Sequence, residues 1–181
     1  MRHTFSILVD NVPGVLSRIS GLFSGRGFNI ESLSVAETLD PTVSRMTIVT
    51  RGDDQILEQI AKQLNKLVNV IKVLDVTEGE FVEREMALIK VSVNDTTRSE
   101  ILGIVDIFRA KVVDACPTSY TIEITGNEEK IKAILDLFRP MGILEVARTG
   151  KAALSRGNKK ERAQKKKKEY EPEKVEGENN G

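Results

Sequence analysis

One pattern is written twice along this chain, and that repetition constrains the fold more than any other feature. In the first copy Phe5, Ile7 and Val9 alternate with polar residues, the period of a strand with one buried face. Val15, Leu16, Ile19, Leu22 and Phe23 then recur at helical spacing, and Gly25 and Gly27 stop that helix. Phe28, Ile30, Leu33 and Val35 begin a second strand that runs to Glu37, Asp40-Pro41 makes a turn, and a third strand covers Ser44 to Thr50. Gly52-Asp53-Asp54 leads into a helix with Ile56, Ile60, Leu64 and Leu67 on one face, and Val70, Ile71, Val73, Leu74 and Val76 supply a fourth strand.

The same order returns from Ala87. Ala87, Ile89, Val91 and Val93 alternate, and Thr97-Arg98-Ser99-Glu100 has the spacing of a capping box. Ile101, Ile104, Val105 and Phe108 form a helical stripe, followed by short strands at 112–115 and 120–124. Gly126-Asn127-Glu128 opens a helix carrying Ile131, Ile134, Leu135 and Phe138, and 143–147 closes the set. Residues 47–52 fall on 121–126 at an offset of 74, whereas Leu22-Phe23 falls on Ile107-Phe108 at an offset of 85. The second copy is therefore shorter between its first helix and third strand. A β-α-β-β-α-β order is that of a split βαβ unit. The expected fold is α+β, with two tandem ferredoxin-like βαββαβ domains at 1–77 and 86–157 joined by a charged linker at 78–85.

Charge separates the end of the chain from the rest. The whole chain is balanced, with 27 basic and 27 acidic side chains, yet the last 26 residues hold nine basic and six acidic ones. The lysine-rich run from Lys159 to Glu169 has almost no apolar face, so it cannot offset the entropy of ordering. A disordered charged tail is expected over 158–181. Zero net charge and the lack of aromatic residues interleaved with the lysines argue against a nucleic-acid partner.

The reactive inventory is thin. Cys116 is the only cysteine, which excludes an intramolecular disulfide, and His3 is the only histidine, placed near a terminus expected to be mobile. No set of residues suggests acid–base, nucleophilic or metal chemistry, so no catalytic residue and no metal or cofactor site is expected. No apolar run approaches the ~18–20 residues of a membrane span, and the N-terminus runs into a strand pattern without a signal-peptide hydrophobic region. A cytoplasmic protein is expected.

Two segments can hold a ligand. Asp10-Asn11-Val12-Pro13-Gly14-Val15-Leu16 joins the first strand to the first helix, with Asp10 and Asn11 as cap types and Pro13 suited to the first turn. Free amides at the helix start and the helix dipole favour a carboxylate, and Gly14 has no side chain to block approach. Ordinary capping explains the same residues, and both readings stand at this level. Asn29, between Phe28 and Ile30, serves either the turn after Gly27 or polar recognition across a pocket. Arg18, Arg26 and Arg45 read as helix-end or surface ion pairs.

These residues also carry a family resemblance. Asn11-x-x-Gly14-Val15-Leu16-x-Arg18, Leu22-Phe23, residues 26–33, Leu39-Asp40-Pro41 and residues 44–47 resemble an ACT domain, more narrowly that of the acetolactate synthase small regulatory subunits. Residues 82–88, Ile107-Phe108-Arg109, residues 145–150 and 154–157 resemble that family's second domain. The resemblance implies an N-terminal ACT domain and a C-terminal ACT-like domain. It implies a subunit that activates a large catalytic subunit and confers feedback inhibition by valine or a related branched-chain amino acid. Thiamine diphosphate, magnesium and FAD would then belong to that catalytic partner. ACT domains of the family pair between chains, so a homodimer is implied. Asn11, Gly14, Val15 and Leu16 of one chain would face Asn29 and Ile30 of the other across the effector. An ACT-type amino-acid sensor acting on another enzyme or on transcription is the alternative.

Overall fold

A computed structural model describes residues 2–77 and 81–156. The expectations for 78–80 and for the tail at 158–181 lie outside the described residues. The first unit runs β1 (Arg2–Asp10), α1 (Val15–Ser24), β2 (Ile30–Glu37), β3 (Val43–Arg51), α2 (Asp54–Leu64) and β4 (Val70–Asp75). The second runs β5 (Phe81–Ser92), α3 (Arg98–Ile107), β6 (Lys111–Cys116), β7 (Ser119–Gly126), α4 (Glu128–Phe138) and β8 (Ile143–Arg148), followed by β9 (Ala152–Ser155). Among the described residues no helix is long and apolar enough to cross a membrane.

Both sheets have the split βαβ order, β2-β3-β1-β4 in the first and β6-β7-β5-β8 in the second. The neighbours are antiparallel throughout. Strand alternation sends Phe5, Ile7, Val9, Met46 and Ile48 to one face, where Ile19 and Phe23 of α1 and Leu57, Ile60 and Leu64 of α2 complete a buried core. The second core is built the same way from Ala87, Ile89, Val91, Ile122 and Ile124 under α3 and α4. Each fully buried side chain of this size contributes about 1.5–3 kcal/mol. The 74-residue offset is structural. Ile48 pairs with Phe5 on one side and Leu33 on the other, and Ile122 pairs with Ile89 and Val112.

The second face of the first sheet meets the second domain. The twelve-residue β5 pairs with β7 and β8 along its later part, while Phe81–Arg84 pairs with β9. From β9 the Ala153 amide donates to Thr47 Oγ1 at 3.4 Å, and just before it the Lys151 amide donates to Ser32 Oγ at 3.1 Å. Thr4, Ser6, Thr47 and Val49 on this face are accordingly buried.

Several local expectations change. Residues 81–85 of the expected linker are strand, because β9 pairs with Phe81–Arg84 and Gly126 of β7 pairs with Glu85. Thr97 does not cap α3 with its side chain; Asn94 Oδ1 instead accepts from the amides of Thr96 and Thr97, a local turn that replaces the capping box. α1 begins after Gly14 with no side-chain cap, so neither Asp10 nor Asn11 caps it and Pro13 lies outside it. His3 is buried in β1, with Nδ1 2.9 Å from Asp75 Oδ2 of β4 and its ring stacked on Phe5. Arg18 donates to Asn69 Oδ1 at 2.6 Å and Arg45 to Ser6 Oγ at 3.0 Å, so both bond neutral groups rather than acids.

Candidate functional site

The loop from β1 to α1 is fixed on both sides. The Asn11 amide donates to Thr42 O at 2.7 Å, and its side-chain Nδ2 donates to Glu37 Oε1 at 3.0 Å and Pro41 O at 2.9 Å. Those contacts dock the loop on the β2–β3 turn. Asp10 exchanges hydrogen bonds with Asn69, backbone amide to carbonyl at 2.9 Å and Asn69 Nδ2 to Asp10 Oδ2 at 3.1 Å. Arg18 of α1 holds the same Asn69, so loop, helix and the turn before β4 form one hydrogen-bonded unit.

Within that frame Gly14 precedes the first helical residue at φ +85°, a left-handed conformation that costs other L-residues about 1–2 kcal/mol. A Cβ built there would meet nothing within 4 Å. With no side-chain oxygen on the helix start, its first amides keep their hydrogen-bonding capacity, and the positive end of the helix dipole adds to their field. Val12 and Leu16 are roughly half exposed beside it. Val15 departs from expectation: its side chain is 4% exposed and belongs to the core, so only its backbone can face a ligand.

Asn29 and Ile30 lie at the other end of the sheet. Ile30 pairs with Thr50, which pairs with His3, whereas Glu37 pairs with Ser44, which pairs with Val9. Seven residue-to-residue steps, ~24 Å at about 3.4 Å each, separate the two ends of β2. Thr50 Oγ1 donates to the Asn29 carbonyl at 2.7 Å, and the Asn29 side chain is exposed. A single chain therefore gathers Asn11, Gly14, the Val15 backbone and Leu16, and leaves Asn29 and Ile30 apart from them. Glu37, Pro41 and Asn69 position the loop; sequence pattern marks Pro41 as a turn residue and Glu37 as a strand end, but only long-range register brings the three to Asp10 and Asn11.

A second polar cluster lies where the domains meet, around a cleft of about 270 Å³. Glu85, 4% exposed, accepts from Arg148 through two parallel bonds of 2.7 and 2.6 Å. Lys151, also buried, places Nζ 2.8 Å from Glu128 Oε2 and 3.1 Å from Glu83 Oε2. The Arg2 guanidinium binds both oxygens of Glu128. Its hydrogen bond, then those from Lys151, hold the Glu128 carboxyl down from 4.5 to about 2 against the opposing effect of burial. A depressed acid stabilises the fold fully above its unfolded pKa, and the contribution is lost as pH falls toward the folded value. The melting-temperature gap between the native chain and Glu128→Gln is expected to be constant above pH 5. It should narrow as pH falls from about 4.5 toward 2. A gap that stays constant through that window would contradict this assignment.

Two tandem split βαβ units, the first opening on a glycine-started helix without a cap, are the architecture of a tandem ACT protein. The model for the small subunit of acetolactate synthase matches residues 84–157, and that for the AHAS small subunit-like ACT domain matches residues 5–72. The chain is 54% identical over 155 residues to the acetolactate synthase small subunit of Mycolicibacterium smegmatis, covering 86% of this chain and 91% of that one. It is 49% identical over 160 residues to the acetolactate synthase isozyme 3 small subunit of Salmonella typhimurium, covering 88% and 98%. The crystal structure of the acetolactate synthase small subunit from Thermotoga maritima superposes with a TM-score of 0.80 at 44% identity, over 87% of this chain and 99% of that one. The chain belongs to the family of acetolactate synthase small subunits.

Proposed function

We propose that this chain binds the large catalytic subunit of acetolactate synthase, raises its turnover, and makes it sensitive to valine or a related branched-chain amino acid. The observation that carries the effector site is the uncapped helix start at Gly14, open to solvent and rigidly held. Its amides suit an α-carboxylate. Both Asn11 amide hydrogens are taken by Glu37 and Pro41, so the oxygen is the atom left for a ligand, and an oxygen acceptor suits an ammonium. Glu37 adds negative charge on the same side. Val12 and Leu16 supply apolar surface for a branched side chain.

Completion of the site takes a second copy. β2 is an edge strand of its sheet, with Val35 44% exposed on the helix side and Leu16 of α1 41% exposed. Antiparallel pairing of two β2 edges about a twofold axis sets the start of one strand beside the end of the other. Asn29 and Ile30 of the second copy then reach the Glu37 end, where Asn11 and Gly14 lie. This arrangement supports a homodimer through the ACT domains.

The test is pyruvate consumption by the catalytic subunit with and without this chain, and with each branched-chain amino acid. Higher turnover on addition, reversed by valine, is expected. Unchanged turnover at saturating small subunit would sink the proposal. Asn29→Ala should raise the effector concentration for half inhibition by about tenfold, because it removes hydrogen bonds worth about 0.5–1.5 kcal/mol each and adds no charge. An unaltered inhibition curve would remove Asn29 from the site.

A further inference from the structure

Glu31 and Ser32 directly follow the candidate effector residues Asn29 and Ile30, and both are held by the second domain or by a residue bound to it. The pairing of β2 with β3 slips here: Ile30 faces Thr50 and Ser32 faces Val49, so Glu31 is an extra residue in the strand. Such a bulge takes its side chain out of the regular alternation and re-aims it. The Glu31 carboxylate lies 2.8 Å from Arg2 Nε and 2.6 Å from Arg51 Nε. The Arg2 Nε–H is not aimed at Glu31, so this contact is electrostatic rather than a hydrogen bond. The other end of the same guanidinium grips Glu128 at the first residue of α4. Glu128 in turn holds Lys151, whose backbone amide returns to Ser32. The strand start is thus tied into the second domain twice, once through Arg2 and once through Ser32.

We propose that Arg2 is the residue through which an effector bound at Asn29 and Ile30 acts on the second domain, with Glu31 as its input and Glu128 as its output. The inference rests on the effector site proposed above. A ligand changes a distant domain only if its binding alters the free energy of some contact between them. Of the two charged contacts that Glu31 makes directly after the ligand residues, the one with Arg2 leads on to the second domain. It is also partly withdrawn from water, with side-chain exposures of 30% and 24%, where a small change of separation has a larger effect than at an open surface. Arg2 is the link that can be cut cleanly. Without it Glu31 retains Arg51 and Glu128 retains Lys151, so no carboxylate is left without a cation.

The experiment uses the full chain with its catalytic subunit, and valine, leucine and isoleucine as probes. Binding of each to the free small subunit is measured by calorimetry, and inhibition of the complex is measured in parallel, for the native chain and for Arg2→Gln. The expected result is binding within twofold of native, with about a tenfold rise in the concentration for half inhibition, inside the usual range of allosteric coupling. Superimposable inhibition curves would overturn the role of Arg2. Binding and inhibition weakened by the same factor would overturn it too, because Arg2 would then merely support the ligand site. Failure of the native chain to bind any of the three amino acids would sink the effector-site reading itself, and this inference with it. If Arg2→Gln does not fold, Glu128→Gln cuts the same link from the other side and leaves Arg2 with Glu31 and Lys151 with Glu83. The same three outcomes then apply.

Discussion

Gly14→Asp is expected to abolish feedback inhibition at effector concentrations that silence the native complex, while activation of the catalytic subunit persists. The new carboxylate would stand where the effector's own carboxylate meets the amides at the start of α1. Two unit charges about 4 Å apart repel by ~1 kcal/mol in bulk water and ~4 kcal/mol at an effective dielectric constant of about 20. The loop is exposed, so the repulsion falls between these limits, and the Asp also satisfies the amides that the effector would use. A loss near 3 kcal/mol is roughly a hundredfold in affinity. Folding is largely spared, since a Cβ at Gly14 meets nothing within 4 Å and the position faces solvent. The φ of +85° costs about 1–2 kcal/mol for an L-residue, with Asp among the types that tolerate it best. Gly14→Ala carries the same backbone strain without the charge and serves as the control. Inhibition curves at saturating catalytic subunit separate the two effects. A Gly14→Asp curve that coincides with that of Gly14→Ala would leave no place for a carboxylate at this helix start.

The contrast between these residues shows what local sequence encodes. Phe5, Ile7 and Val9 announce their strand because the face under the helices is apolar while the other buried face carries Thr4 and Ser6, and the same alternation finds Ile48 and Ile122 at equivalent central positions of the two sheets. Gly14 and Asn11 are legible as the turn from strand to helix, but the docking of Asn11 on Glu37 and Pro41 in place of a cap on α1 comes from the β2–β3 register. The division of labour between Val15 and Leu16 is not legible. Both are apolar, and which one faces the core depends on the residue at which the helix begins. That start is set by Gly14 rather than by Pro13. β9 is hidden for another reason. Ala152–Ser155 shows no alternation and becomes a strand only because Phe81–Arg84 lies alongside it, about seventy residues away in sequence. Lys151 looks like an ordinary surface lysine in sequence, and only the fold reveals the two acids that neutralise it in a buried position. Registers and domain contacts of this kind are set by long-range pairing, which periodicity does not record.

That domain contact turns on Gly150, and Gly150→Ala is expected to loosen it. Gly150 adopts φ +77°, and a Cβ there would stand 2.7 Å from Ser32 Oγ and 3.1 Å from the Leu33 carbonyl oxygen. The serine hydroxyl can rotate away only by giving up the bond it accepts from the Lys151 amide. The Leu33 carbonyl belongs to the backbone of β2 and cannot yield without moving the strand. Left-handed strain of about 1–2 kcal/mol and overpacking of about 1–3 kcal/mol act together. At ~2–4 °C per kcal/mol for a chain of this size, the melting temperature should fall by roughly 5–15 °C. Gly27→Ala isolates the first contribution, because Gly27 has φ +72° with open space around it. The larger loss for Gly150→Ala should come with faster hydrogen exchange at Lys151 and along β9, whose bonds to Ser32 and Thr47 are the ones displaced. If the two variants melted together, the close approach at Gly150 would carry no weight. The two domains would then be held by the ion pairs around Lys151 and Glu128 rather than by the fit of one backbone against the other.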